Sequence, residues 1–277
     1  MAPSTFSYSY GKTLLKIEDV SLDYDGHPVL KHVSAEIKDI IRPDVVQGQV
    51  VGFLGPSGIG KTQLFRIIAG LNKPTSGRVT INEQDKPVAA GEVGVVAQDY
   101  PLFEHRTVMS NLILAAGQKE KDSKVARDKV IEFLNQFDLL DRARCYPVQL
   151  SGGQRQRCAI IQQILCSDHF LLMDEPFSGL DLFMLEKTCA LIQKVSNMHD
   201  LNTIIVVTHD ITAAACVADH LWLMGRDRDA EGKLVPGSHI VETYDLIERD
   251  LCWRPGIITQ PTFMEFVREV KERFRSL

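Results

Sequence analysis

A glycine-rich stretch from Gly55 to Thr62, reading GPSGIGKT, has residue types that suit phosphate binding. It satisfies the pattern of Gly, four residues, Gly, Lys and Ser/Thr, in which backbone N–H groups curl around phosphate oxygens. Lys61 can reach the β- and γ-phosphates of a nucleotide, and the Thr62 hydroxyl can ligate Mg²⁺. The alternative is a glycine-rich turn with a chance lysine. An apolar β-branched run before the stretch and helical spacing after it favour the phosphate site.

Two acids and one histidine follow other apolar, strand-like runs. Asp174 and Glu175 come after residues 170–173, and His209 comes after a run that ends at residue 207. The carboxyl ends of parallel strands share one edge of a sheet, so Asp174 would hold Mg²⁺ opposite the phosphate loop. Neighbouring strand residues point to opposite faces of the sheet. Asp174 and Glu175 can therefore have different roles at this edge only where the strand ends and turns. Chance acids after a strand are common, and a lone strand-end histidine is more often structural than catalytic.

The elements that must position these residues alternate between strand and helix. Residues 14–20 and 33–37 read as strands joined by a turn at 25–28, and residues 64, 67, 68 and 71 give the phosphate-loop helix its apolar face. Further strands are predicted at 78–82, 93–97, 201–207, 221–224 and 238–241, and a helix from about Ile211. Residues 39–47 read as an extended loop or hairpin tip. This alternation predicts an α/β fold.

Residues 107–167 have helical spacing, which predicts a compact helical insertion between two halves of the sheet. One segment would bury Val125, Val130, Ile131, Leu134 and Phe137, and another Cys158, Ile161, Ile164 and Leu165. A last amphipathic helix has one apolar face, formed by Phe263, Phe266, Val267, Val270 and Phe274. We expect this face to pack into the core; contact with a membrane or a partner is the alternative.

Composition narrows the functional classes. The 277 residues are 44% hydrophobic and 24% charged, as in an ordinary globular protein, and the net charge of −5 disfavours a general nucleic-acid surface. The six cysteines form no CxxC pair, which predicts free thiols in a reducing compartment. The N-terminus does not read as a signal peptide, and the longest apolar runs are strand-sized. We therefore expect a soluble, cytosolic protein.

The motifs together resemble those of ATP-binding cassette (ABC) ATPases. In chain order they are the loop at 55–62, Gln98, LSGGQRQR at 150–157, LLMDEP at 171–176, SGLD at 178–181 and His209. LSGGQ is the most specific of them, and the resemblance covers nearly the whole chain. It implies one ABC ATPase domain over residues 1–277: a RecA-like phosphate-loop core, an antiparallel β subdomain and a helical subdomain inserted at about 104–167.

The resemblance also implies how nucleotide would bind. Two such domains, either two copies of this chain or one copy and a paralogous ATPase, would pair head to tail around two ATP molecules. Each ATP would lie between the phosphate loop of one domain and the LSGGQ segment of the other. The implied nucleotide-binding residues are Tyr24, Gly55, Pro56, Ser57, Gly58, Ile59, Gly60, Lys61, Thr62, Gln63, Ser151, Gly152, Gly153 and Gln154.

By the same resemblance, Glu175 activates the attacking water and His209 contacts the γ-phosphate, with Lys61 and Gln98 completing the catalytic set. Thr62, Gln98 and Asp174 would hold Mg²⁺. Tyr24, otherwise a half-buried strand aromatic, would stack on adenine, and Asp181 would couple the two sites of the dimer.

Three features depart from the family pattern. Gln63 stands where a second hydroxyl residue is usual, which puts one α-phosphate contact in doubt, although its amide could still donate. The helix after the signature, CAIIQQIL, lacks the usual arginine, and the link at 39–47 is longer than usual.

The segment at 98–112 resembles that of bacterial importer ATPases, of the polar amino-acid or the nitrate and taurine types. Leu102, Phe103 and Val108 would then line a groove for a permease helix, or would simply pack the helical subdomain. We expect an ATPase on the inner face of the cell membrane, powering import of a small polar solute with permease subunits and a solute-binding protein. An exporter or lipid-transport ATPase, a soluble ABC protein acting on ribosomes or DNA, and a scaffold that binds ATP without hydrolysis are the alternatives.

Overall fold

The computed structural model describes residues 7–43, 45, 47–82, 86–167, 169–199, 202–252, 254, 256–275 and 277. The strands are β1 (Ser9–Tyr24), β2 (His27–Ile41), β3 (Gln49–Leu54), β4 (Ser76–Ile81), β5 (Gly94–Val96), β6 (Phe170–Asp174), β7 (Thr203–Thr208), β8 (His220–Gly225) and β9 (His239–Asp245). The α-helices are α1 (Lys61–Ile68), α2 (Val108–Ala116), α3 (Ser123–Gln136), α4 (Gly152–Cys166), α5 (Leu182–Ser196), α6 (Ile211–Val217) and α7 (Pro261–Arg275). Short 3-10 helices lie at Leu140–Arg142, Pro147–Gln149 and Ile257–Thr259.

A six-stranded sheet in the order β5-β6-β7-β3-β8-β9 brings the functional strand ends together. All neighbours are parallel except β9, which runs antiparallel to β8. Leu54 pairs with Thr208, and Asp174 pairs with Val207, so β3, β6 and β7 end at one edge. Every residue of β3 and β7 is buried, as expected where both faces of a parallel sheet are covered.

The two faces of this sheet pack against different layers. Val51 and Phe53 face a core shared with α1 and with a smaller antiparallel sheet of order β2-β1-β4. Val50 and Leu54 point to the other side, where α2 to α5 form one cluster and α6 and α7 form another. Successive side chains of β3 point to opposite faces of the sheet, so this one strand packs against both the antiparallel layer and the helical layer.

The helices α2, α3 and α4 lie between β5 and β6 in the chain and share one apolar cluster with the sheet. On α3 the buried residues are Ala126, Val130 and Leu134, which recur at intervals of four. Val125, predicted on this face, is 46% exposed, and Ile131 is only half-buried. Each lies one residue, or about 100°, away from the buried stripe, which explains the error.

Two further predictions of local structure were wrong. Residues 39–41, assigned to a loop, continue β2 as far as Ile41, while residues 44 and 46 lie outside the described part. Leu71 is 58% exposed because α1 already ends at Ile68. The last helix behaves as predicted, with Phe263, Phe266, Val267 and Val270 buried and Phe274 partly buried. Within the described ranges, no helix combines the length and the apolarity that a membrane crossing requires.

Candidate functional site

The loop at residues 55–60 connects β3 to α1 at the edge where β3, β6 and β7 end. Gly58 and Gly60 have φ values of +77° and +103°, a backbone region that favours glycine. Lys61, the first residue of α1, curls back over the loop, and its Nζ donates to Gly55 O at 2.6 Å and to Pro56 O at 3.0 Å. Burial lowers the pKa of Lys61, against the opposing effect of nearby acids. The ammonium is thus held at the loop that would receive phosphate.

Asp174 is the last residue of β6 and lies near Lys61. Burial, followed by the like charge of Glu175, raises the pKa of Asp174, while Lys61 and Arg66 act against this rise. The two carboxylates at this edge thus face two cationic side chains, Lys61 and Arg66.

Glu175 has a left-handed backbone, with φ of +48°, which is uncommon for a residue other than glycine. Its N–H still donates to Val207 O at 2.8 Å. Its Oε2 accepts a hydrogen bond from Thr208 Oγ1 at 2.9 Å, and its Oε1 lies 2.9 Å from His209 Nδ1. The left-handed turn is how adjacent acids share one edge despite the alternation of a strand. Backbone strain of this kind concentrates at functional sites.

Thr208 was missed in the sequence, although a hydroxyl residue directly before the strand-end histidine was a visible signal. It is 1% exposed, so its hydroxyl fixes the Glu175 carboxylate from inside the sheet. Gln98, after β5, donates from Nε2 to Ser178 Oγ at 3.4 Å, which places it beside the turn that follows Glu175. Asp181 caps α5 by accepting a hydrogen bond from Met184 N–H at 2.8 Å.

The LSGGQ segment forms the beginning of α4. Ser151 is the N-cap, and its Oγ accepts from Gln154 N–H at 3.3 Å, while Gln154 Oε1 accepts from Ser151 N–H at 3.0 Å. This capping box fixes the first turn, in which Gly152 and Gly153 carry no side chain. Apart from Gly152 itself, its chain neighbours and the nearby backbone of α4, no described atom lies within 4 Å of where a Gly152 Cβ would stand. A helix N-terminus of this kind can receive an anion such as phosphate.

Two side chains of α4, both missed in the sequence, connect the signature to the catalytic edge. Arg155 Nε donates to Tyr100 O at 3.2 Å, and its guanidinium pairs with Glu104. Gln156 Nε2 donates to Pro176 O at 3.2 Å. The helix is therefore tied both to the segment after Gln98 and to the turn after Glu175.

The remaining residues were predicted to contact either the nucleotide or a permease helix, and they differ in exposure. Tyr24 ends β1 with 47% of its surface exposed, and its hydroxyl donates to Gln63 Oε1 at 3.0 Å. Phe103 is 45% exposed, whereas Leu102 is half-buried against the helical cluster. Val108 is 1% exposed, so it packs the core and cannot line an open groove. For Val108 the structure agrees with the alternative that this residue packs the helical subdomain.

Comparisons with known proteins show which family the chain belongs to. The family model described as ABC transporter matches residues 39–178. The chain is 36% identical to a probable sulfate/thiosulfate import ATP-binding protein of Chlorella vulgaris, over 75% of this chain and 86% of the relative. It is 33% identical to an arginine transport ATP-binding protein of Bacillus subtilis, over 76% of this chain and 87% of the relative. A longer sulfate/thiosulfate import relative, from Agrobacterium fabrum, is spanned over 65% of its length at 33% identity.

A solved structure of similar fold is an ATP-binding cassette in a dimeric, post-hydrolysis state bound to ADP and Pi. It aligns with a TM-score of 0.65 at 28% identity, covering 84% of this chain and 99% of that one. This solved structure is of the same family that the sequence motifs resemble. The chain therefore belongs to the ABC transporter family and is an ATP-binding cassette ATPase.

Proposed function

We propose that this chain is the ATP-hydrolysing subunit of a membrane importer for a small polar solute. The observation that carries the hydrolytic part is the Glu175 carboxylate, held by Thr208 and His209 at the strand edge beside Lys61. The importing part rests on relatives named as import or transport ATP-binding proteins, for sulfate/thiosulfate and for arginine.

ATP binds with its phosphates in the loop at 55–62, where Lys61 neutralises charge at the β- and γ-phosphates. Tyr24 offers its exposed ring to the adenine. Lys61 already contacts two loop carbonyls, so its ammonium needs only a small movement to exchange one of them for a phosphate oxygen.

The donor set suits Mg²⁺, a hard cation that prefers oxygen ligands. Thr62 offers an exposed hydroxyl, Gln98 an amide oxygen and Asp174 a carboxylate at the end of β6. The metal would neutralise charge on the β- and γ-phosphates.

Glu175 accepts the proton of the attacking water, and His209 orients that carboxylate and reaches the γ-phosphate. Both Glu175 oxygens already have partners on β7 or directly after it, so the base is preorganised. Hydrolysis then depends mainly on positioning and electrostatics, as is general for phosphoryl transfer.

A second copy, or a paralogous ATPase, completes each site by presenting Ser151, Gly152 and Gly153 to the γ-phosphate. The exposed, capped N-terminus of α4 supports this role, because its N–H groups can point at an anion supplied by the opposite domain. Head-to-tail closure on ATP then drives the transport cycle, with Asp181 near the junction of the two sites.

The partners would be permease subunits that span the membrane, with a solute-binding protein delivering the solute. The chain would then lie on the cytoplasmic face of the membrane. The exposed ring of Phe103, in a segment tied to α4 through Tyr100 and Glu104, provides a contact surface for a permease helix.

Affinity capture from native membranes tests the transporter role. The tagged chain, solubilised in mild detergent, should retain a multi-spanning protein at equal stoichiometry, and vesicles containing the captured complex should accumulate solute only with ATP. Recovery of ribosomal proteins or DNA-repair factors in place of a membrane partner would contradict the proposal. ATP-driven efflux from cells would keep the ATPase role and reverse the direction.

A further inference from the structure

A polar network surrounds the hydroxyl of Tyr24. Tyr24 donates to Gln63 Oε1 at 3.0 Å, and Asn72 Nδ2 donates to Tyr24 Oη at 3.1 Å. Asn72 Nδ2 also lies 3.3 Å from Gln63 Oε1. The three side chains come from the end of β1, the third residue of α1 and the turn after α1.

The backbones that carry this network are themselves fixed. Asn72 N–H donates to Arg66 O at 3.1 Å, which anchors the turn to α1. Thr75 joins the same turn to β1, because its N–H donates to Ser21 O at 2.8 Å and its Oγ1 accepts from Asp23 N–H at 2.9 Å. The hydroxyl of Tyr24 is thus attached to a fixed frame, while 47% of the surface of the residue remains exposed.

We propose that Gln63 and Asn72 are positioning residues that hold the Tyr24 ring in the orientation on which the nucleotide base stacks. The inference rests on the proposed stacking role of Tyr24. A tyrosine fixed only at its Cβ would lose rotational freedom when a base binds, and prior fixation of its hydroxyl reduces that cost. The carbonyl oxygen of Gln63 has two lone pairs, and Tyr24 and Asn72 occupy both.

This assignment explains why glutamine follows Thr62. A serine or threonine hydroxyl at residue 63 would end at the γ position, whereas the amide oxygen of glutamine, at the ε position, extends two bonds further and reaches the phenol. The side chain therefore acts on the base end of the nucleotide through Tyr24, in place of the α-phosphate contact of a hydroxyl residue.

Calorimetric titration with ATP and with inorganic tripolyphosphate, which has no base, separates the two roles. Gln63→Leu and Asn72→Ala should each weaken ATP binding by about two- to tenfold and leave tripolyphosphate binding unchanged. Tyr24→Phe, which keeps the ring, should weaken ATP binding similarly, and Gln63→Leu should add nothing in that background. Gln118→Leu, at an exposed glutamine after α2, is the matched control. Circular dichroism melting curves check that each variant is folded. If Gln63→Leu is unfolded, Asn72→Ala is used to test the inference.

Several outcomes would overturn the inference. Equal loss of ATP and tripolyphosphate binding in Gln63→Leu, or additivity with Tyr24→Phe, would assign Gln63 to the phosphates. If Tyr24→Ala weakens ATP binding while Gln63→Leu and Asn72→Ala do not, the stacking role stands and the positioning role fails. If Tyr24→Ala leaves ATP binding unchanged, the stacking role itself fails.

Discussion

At the scale of single residues, the site depends on how one carboxylate is held. Glu175 has its backbone in a left-handed conformation, and its two oxygens meet Thr208 and His209. A strained backbone persists only where surrounding contacts determine it, and here three contacts to β7 and its end do so, including the bond from Glu175 N–H to Val207 O. The arrangement fixes the carboxylate that would act as the base in the proposed reaction.

Glu175→Gln tests this base directly. The amide keeps the size of the side chain but cannot accept the proton of the attacking water, so we expect kcat for ATP hydrolysis to fall by about 100-fold or more. The Kd for ATP should stay within a few-fold of the wild-type value, because the phosphates bind elsewhere. Phosphate release and calorimetric ATP titration measure the two quantities, with exposed Glu186→Gln as control. Turnover at the wild-type rate would remove Glu175 from the role.

The sequence predicted the types of residue at the site better than their arrangement. GPSGIGKT, LSGGQ and the acids after an apolar run were recognisable because strand, turn and helix signals are local. The hydrogen bond from Thr208 and the left-handed backbone of Glu175 were not recognised, because both depend on the pairing between β6 and β7. The bond between Tyr24 and Gln63 was equally invisible, since it joins residues 39 apart in sequence.

At the scale of elements, strands were easier to predict than helix faces. Buried parallel strands appear as short apolar runs, so β3 and β6 lie close to their predicted positions. On α3 a shift of one residue turns the buried face by about 100°, which is why Val125 was misassigned. The continuation of β2 to Ile41 was hidden by the mixed polarity of an antiparallel strand with one exposed face.

The connection from β8 to β9 contributes Ser238, whose hydroxyl reaches the phosphate loop. Ser238 is fully buried, and its Oγ contacts Ile59 O in the loop and Val29 O on β2, the latter at 2.8 Å. Its Oγ also lies 3.2 Å from the position of a Gly60 Cβ. The side chain thus supports the turn immediately before Lys61.

Ser238→Ala should therefore loosen the loop. We expect KM for ATP to rise by about two- to tenfold, the effect of one lost hydrogen bond, with a smaller change in kcat. Steady-state hydrolysis at varied ATP measures both constants, and Ser123→Ala, at an exposed position on α3, is the control. An unchanged KM would show that the loop keeps its shape without this contact.

Asp245, the last residue of β9, connects β9 to β1 and to β8 at the edge of the sheet where β8 begins. Its Oδ2 accepts from Tyr10 Oη on β1 at 2.7 Å and lies 3.5 Å from His220 Nε2 on β8, and its Oδ1 accepts from the N–H groups of Ile247 and Glu248. Burial acts to raise the pKa of Asp245, but bonds from His220, the Glu248 backbone and Tyr10 outweigh it and lower the pKa to about 2.

This shift predicts a pH-dependent stability. A lowered folded-state pKa stabilises the fold above the unfolded-state value near 4, and the effect is lost as pH falls through about 2. Asp245→Asn should lower the free energy of unfolding by about 2 kcal/mol at pH 7 and by about half of that at pH 3. Urea unfolding at the two pH values measures this, with exposed Asp227→Asn as control. A difference independent of pH would show that the carboxylate charge is not the stabilising feature.

At the scale of the whole molecule, one chain carries both segments that the proposed dimer would combine into ATP sites. The phosphate loop precedes α1, whereas the LSGGQ segment begins α4 and hydrogen-bonds within its own first turn. Arg155 and Gln156 connect that helix to the edge that holds Glu175 and Gln98. A change at the nucleotide can thus be transmitted through these bonds to the signature helix, which faces a partner domain in the proposed dimer.

Head-to-tail pairing predicts that two different defects complement each other. Lys61→Ala removes the phosphate-loop cation, and Gly153→Asp places a like charge where the γ-phosphate would meet α4, so each variant alone should lose at least about 90% of its ATPase activity. In an equal mixture about half of the dimers combine one chain of each kind, and each of these has one composite site free of both changes. The mixture should then recover up to about a quarter of the wild-type rate, more than either variant alone, in a phosphate-release assay. A mixture of Lys61→Ala with a second phosphate-loop variant, Thr62→Ala, is the control, because no site in it has an intact loop. No recovery in the test mixture would indicate that each chain builds its site without the signature of its partner. Recovery in the control would show that the gain does not come from a composite site.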